Sequence, residues 1–257
     1  MNIASHQLLL AFALTLFAGL STGIGSLVAF FAKRTNTRFL SFSLGFSAGV
    51  MVYISFMELM PQARELLSEP ALLLAFFGGI AFIAVIDFLI PEEENPHEMH
   101  LTEDMEKNSK LKRMGVMVAL SIAIHNFPEG IAAFTAGLNS LDVAIPIALA
   151  IAIHNIPEGI AVSVPIYQAT GSKKKAFWYS FLSGLAEPVG ALVAIVILLP
   201  FWSPVINGVV LAAVSGIMVF ISIDELLPGA ERFGQHHLSI SGFIAGMFIM
   251  AVSLLLT

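Results

Sequence analysis

The stretch Ser121–Ala133 reads SIAIHNFPEGIAA, and Ala150–Val162 reads AIAIHNIPEGIAV. Ten of the thirteen positions agree. Each copy stands near the middle of a long apolar segment, which puts a histidine, an amide, a proline and a carboxylate at a depth where lipid would surround them. Ionisable groups in such a place are costly and read by default as functional. Histidine and carboxylate are also ligands that divalent transition metals favour. On its residues alone, the chain reads as a membrane carrier for a metal ion.

The surrounding chain has the composition such a reading needs. It has 257 residues, of which 57% are hydrophobic and 12% charged, against about 25% charged in ordinary soluble domains. Mean hydropathy is +0.88. That excludes an ordinary soluble enzyme and predicts an all-α, polytopic membrane protein. The net charge of −6 comes mostly from one loop, so it says nothing about partners. No basic face exists for nucleic acid. The absence of cysteine excludes disulfides, iron–sulfur clusters and thiolate zinc sites, which leaves His, carboxylate, Asn and Met as metal ligands.

A bilayer crossing needs about 20 apolar residues. Eight stretches meet that need: 7–32, 38–60, 71–90, 113–138, 143–167, 176–199, 204–228 and 238–256. They are spans 1 to 8 of one transmembrane domain covering 1–257, with a loop at about 91–112 between spans 3 and 4. The first span is no cleaved signal, because nothing before it is basic and it is too long. With the N-terminus outside, the inner loops hold Lys33, Arg34, Arg38, Lys107, Lys110, Lys112, Arg113, Lys173, Lys174, Lys175 and Arg232, and the outer side holds only Arg64. Eleven against one is a clear case of the positive-inside rule. Both termini are therefore expected outside the cytoplasm, and a seven- or nine-span count would scramble the alternation.

The two motif copies lie on consecutive spans, 4 and 5, so they run antiparallel. A second likeness joins spans 2 and 7: Ala48–Pro61, AGVMVYISFMELMP, matches Ser215–Pro228, SGIMVFISIDELLP, at eight of fourteen positions. The simplest account is eight transmembrane helices with an inverted repeat, helices 1–3 against 6–8, around central helices 4 and 5. Inverted repeats with sites near the midplane on Pro- or Gly-interrupted helices mark many secondary transporters.

Residues four apart share a helix face, so His125 pairs with Glu129 and His154 with Glu158. Pro128 frees the carbonyl of Ile124, and Pro157 that of Ile153, with an expected kink that opens the helix at the ligands. Gly130 and Gly159 allow close helix approach. Asn126 and Asn155 sit about 100° round from the histidines and reach a second, adjacent position, which both glutamates can bridge. Glu187 in SGLAEPVG, alone as a charge within span 6, is a ligand for that second position. Glu58 on span 2, facing the outer half, and the pair Asp224–Glu225 on span 7, facing the inner half, are stations on the way in and out. The competing reading makes them solvated helix ends. His97 and His100, in the mixed-charge loop PEEENPHEMHLTEDMEKNSK, either capture released metal weakly or belong to a solvated linker. Asp87, His6, His236 and His237 read as interfacial or loop residues, and Met51, Met57, Met60 and Met218 as packing.

HNFPEG and HNIPEG on successive spans resemble the ZIP (Zrt-, Irt-like protein) family of divalent-metal transporters. Eight spans, outside termini and a His-bearing loop between spans 3 and 4 fit that family. SFMELMP, SGLAEP and the chain length point to its bacterial zinc-uptake branch, in the cell inner membrane. The resemblance implies import of Zn2+ toward the cytoplasm, with Fe2+, Mn2+, Co2+ and Cd2+ as further candidate cargo, through a binuclear site. Carried over, His125, Glu129, His154 and Glu158 match the primary position, with Glu58 able to contribute. Asn126, Asn155, Glu187 and the two bridging glutamates match the secondary one. Family members are often homodimers. The middle loop lacks the long His-rich run of eukaryotic members.

Two rival readings use the same residues. An intramembrane zinc protease needs His-Glu-x-x-His, whereas this chain has His-Asn-x-Pro-Glu twice. A metal-gated channel or metal sensor could use the same site, and flux kinetics rather than residue types separate it from a carrier.

Overall fold

The computed structural model describes residues 5–31, 37–89, 107–139, 141–201, 203–232 and 236–255, and these are helical almost throughout. In chain order the α-helices are α1 (Ser5–Phe31), α2 (Thr37–Ile54), α3 (Met60–Leu66), α4 (Glu69–Leu89), α5 (Lys107–Asn139) and α6 (Leu141–Thr170). Then come α7 (Lys173–Gly184), α8 (Ala186–Val193), α9 (Pro204–Ile221), α10 (Leu227–Arg232) and α11 (His236–Leu255). A π-turn, Ser55–Leu59, joins α2 to α3, and another, Ser222–Leu226, joins α9 to α10. The result is eight rods among the described residues. Seven segments of those residues are long and apolar enough to cross a membrane, and the stretch 113–138 lies within the 33-residue α5.

The rods turn their apolar faces outward. Leu74, Phe82, Phe88, Val196 and Phe248 are all more than half exposed, while Thr15, Thr22, Ser26, Ser47 and Ser215 are buried. In water such an apolar surface would be a liability, and against lipid tails it is the expected one. Between helices the bilayer supplies no hydrophobic drive, so close packing through small residues holds them together. Glycines show where. A Cβ on Gly130 (α5) would strike the Glu187 carbonyl (α8), and one on Gly190 (α8) the Phe127 carbonyl (α5). Gly159 (α6) meets the Thr22 carbonyl (α1), and Gly25 (α1) the Ile156 carbonyl (α6). These contacts tie α1, α5, α6 and α7–α8 into one group. In the other group, α2 locks onto α11 through Gly45, Gly49, Gly242 and Gly246, and α4 onto α9 through Gly79 and Gly216. The groups meet along a seam where α2 lies on α6 and α5 on α9.

Several boundaries differ from the sequence expectation. α5 and α6 run through Pro128 and Pro157 without interruption, so the missing N–H bonds do not end either helix. The break falls instead at Leu185, just before Glu187-Pro188. Spans 2 and 7 do not stop at 60 and 228. Their wider π-turns absorb Pro61 and Pro228, and the rods continue to Leu66 and Arg232. The expected loop 91–112 is helical from Lys107 onward.

Candidate metal site

The motif residues meet at the centre of the α1/α5/α6/α8 group. Asn126, Glu129, His154, Asn155, Glu158 and Glu187 are all buried, with exposure of 0 or 1%. Contacts across helices hold each of them. His154 Nε2 lies 3.0 Å from Glu129 Oε1, joining the second motif copy to the first. The Asn155 amide donates to the Glu187 carboxylate and, at 3.0 Å, to the Ala18 carbonyl of α1. The Asn126 amide donates to the Ser183 carbonyl of α7 at 3.4 Å. Ser47 of α2 donates to Glu158 Oε1 at 2.8 Å.

Helical spacing alone placed each histidine with its own copy's glutamate. The bond between copies, His154 to Glu129, depends instead on how α5 and α6 are rotated against their neighbours, which Gly130 and Gly159 fix. Asn126 Oδ1, Asn155 Oδ1 and Glu187 Oε2 are buried acceptors with no hydrogen-bond donor among the described residues. Leaving such atoms unpaired costs about 1–3 kcal/mol each, and each is chemically able to accept a donor or a cation. Among the described residues, no three His, Asp or Glu side chains stand together in metal-holding geometry. His125 lies on α5, but its side chain lies outside the described residues, as do His97 and His100.

The outlying acids sit elsewhere. Glu58 lies in the π-turn of the α2–α3 rod, half-buried, and accepts from Gln62 at 2.6 Å. Asp224 and Glu225 lie in the matching π-turn of the α9–α10 rod and are also half-buried. None of the three is at a helix end. Single-turn π-bulges recur at functional sites, and the prolines three residues past Glu58 and Glu225 were the sequence signal for them. Asp87 is half-buried near the end of α4. Ser47 carries no signal in the sequence, because Ser41 and Ser43 stand in the same stretch and nothing singles it out.

A helical, lipid-facing bundle with histidine, carboxylate and amide groups enclosed at its centre is a polytopic membrane protein equipped to handle a cation inside the bilayer. Residues 90–254 match the ZIP zinc transporter family. The chain is 61% identical to the zinc transporter ZupT of Streptococcus mutans, over 98% of this chain and 99% of that protein. It is 56% identical to that of Nitratidesulfovibrio vulgaris, over 99% of both. With that of Chlorobium phaeovibrioides it shares 61% over 96% of this chain and 97% of that protein. The chain belongs to the ZIP zinc transporter family, a family of transporters and not of enzymes.

Proposed function

We propose that this chain takes up zinc across the bacterial inner membrane, toward the cytoplasm, through a binuclear site built on the two motif copies. The observation that carries this reading is the buried His154–Glu129 pair, drawn from both copies. An apolar bundle has no structural need for it, and its donors are those zinc prefers. The family and the names of the relatives support zinc as cargo. Iron, manganese, cobalt and cadmium are further candidate cargo, because His and carboxylate discriminate poorly among such ions.

In this reading His125, Glu129, His154 and Glu158 bind the first ion. Asn126, Asn155 and Glu187 bind the second, with both glutamates bridging, and the three unpaired acceptors support that role. Glu58 gathers zinc on the outer side. Asp224 and Glu225 release it inward, and His97 and His100 capture released metal weakly.

The membrane arrangement belongs to the same proposal: eight crossings, both ends of this chain outside, and spans 1–3 repeated inverted as 6–8. Three observations support it. The glycine contact of Gly130 with Glu187 mirrors that of Gly159 with Thr22, and Gly49 with Phe243 mirrors Gly216 with Phe76. Aligned on those contacts, Ala18–Leu27 matches Ser183–Leu192 at four of ten positions. Lys173, Lys174 and Lys175 stand in the first turn of α7, where the helix dipole disfavours cations, so membrane orientation rather than helix stability accounts for them. Assembly as a homodimer rests on the family alone.

The test is zinc influx into liposomes containing the purified protein and an internal zinc indicator. Saturable influx is expected, and influx no faster than in empty liposomes would overturn the proposal.

A further inference from the structure

Ser47 connects the two helix groups at the site itself. It is fully buried on α2, and its hydroxyl donates to Glu158 Oε1 on α6 across the seam. We infer that Ser47 is a positioning residue that sets the Glu158 carboxylate for zinc from the opposite helix group. The inference rests on Glu158 being a ligand.

Helix geometry explains why the hydroxyl is a fixed post. Gly45 and Gly49 bring α2 onto the Ser239 and Phe243 carbonyls of α11. Ser47 lies two residues from each, about 200° round the helix, and so faces the opposite side, toward α6. Because α2 is locked to α11 on its other face, the hydroxyl cannot follow the carboxylate if α6 shifts. The bond therefore holds one oxygen of Glu158 in place while the group is metal-free, and leaves the carboxylate plane oriented for the cation. Hydrogen bonds to ligating carboxylates act in this way, and their loss typically lowers metal affinity or activity about 10–100-fold.

The contact belongs to one half of the molecule. One residue before the span 2 and 7 likeness, Ser47 corresponds to Val214, which has no side-chain donor. In the other copy the carboxylate of Glu129 is met by His154. Among the described contacts, Glu158 thus accepts a hydroxyl from the far group and Glu129 meets an imidazole from the near one.

The test is zinc uptake by the full chain in liposomes, with zinc affinity measured on the same protein in detergent. Ser47→Ala is expected to raise KM and Kd for zinc roughly 10–100-fold, with maximal rate and Tm close to those of the unchanged protein. Ser47→Thr, which keeps the hydroxyl, is expected to restore both constants. An unchanged KM in Ser47→Ala, a loss confined to maximal rate, or no rescue by Ser47→Thr overturns the inference. Glu158→Gln separates the two layers. If it abolishes uptake while Ser47→Ala leaves KM unchanged, the positioning role alone is wrong; if it leaves uptake unchanged, the ligand assignment beneath it is wrong.

Discussion

His154 Nε2 and Glu129 Oε1 lie 3.0 Å apart, one from each copy of the repeated motif, and neither side chain reaches solvent. The repeat thus brings its two copies into direct contact. What holds it is backbone contact on both sides, with Gly130 on Glu187 and Gly159 on Thr22.

Gly130→Ala tests that support. The added Cβ meets backbone, which cannot rotate away, and overpacking of this kind costs about 1–3 kcal/mol. A lower Tm and several-fold slower zinc uptake are expected. Gly78→Ala is the control: nothing lies within 4 Å of its added Cβ, and both properties should stay unchanged.

The proposed second ion position predicts a change in stoichiometry. Asn155→Ala and Glu187→Ala each remove a member of the bonded pair across α6 and α8. Zinc bound per chain, counted at saturation in detergent, should fall from two to one. Two ions still bound in both variants would remove these residues from the site.

Glu58 faces a milder test. It lies outside the buried set, in a π-turn, with Gln62 as its hydrogen-bond donor. Glu58→Gln should raise the zinc concentration needed for half-maximal uptake several-fold and leave the bound stoichiometry intact. Unchanged concentration dependence would make the residue structural.

Uptake should also depend on pH. Imidazole binds metal only when neutral and carboxylate only when ionised, so protons compete with zinc. As pH falls through the free histidine value of roughly 6.5, the competent fraction of sites falls with it. Initial rates should decline below about pH 6. A flat profile from pH 5 to 8 would deny the competition.

Much of this was readable in the sequence because lipid makes polarity conspicuous. The doubled His-Asn-x-Pro-Glu-Gly, Glu187 and the apolar spans declare themselves by composition. Rotation between helices does not, which is why His154 meeting Glu129 emerged only with the fold. The π-turns at 55–59 and 222–226 were hidden because hydropathy carries no information about hydrogen-bond period, although Pro61 and Pro228 marked them. Pro128 and Pro157 do not mark helix ends, since α5 and α6 continue through both. Ser47 was invisible for a third reason: only the lock of α2 on α11 gives it a direction.

The most direct measurement is zinc uptake by Glu129→Ala and Glu158→Ala in liposomes, beside the unaltered protein, with Tm and elution volume as checks of folding. Loss of uptake in both variants, with the fold retained, is the expected result. Folded variants that still take up zinc at the original rate would contradict a route through the paired motif.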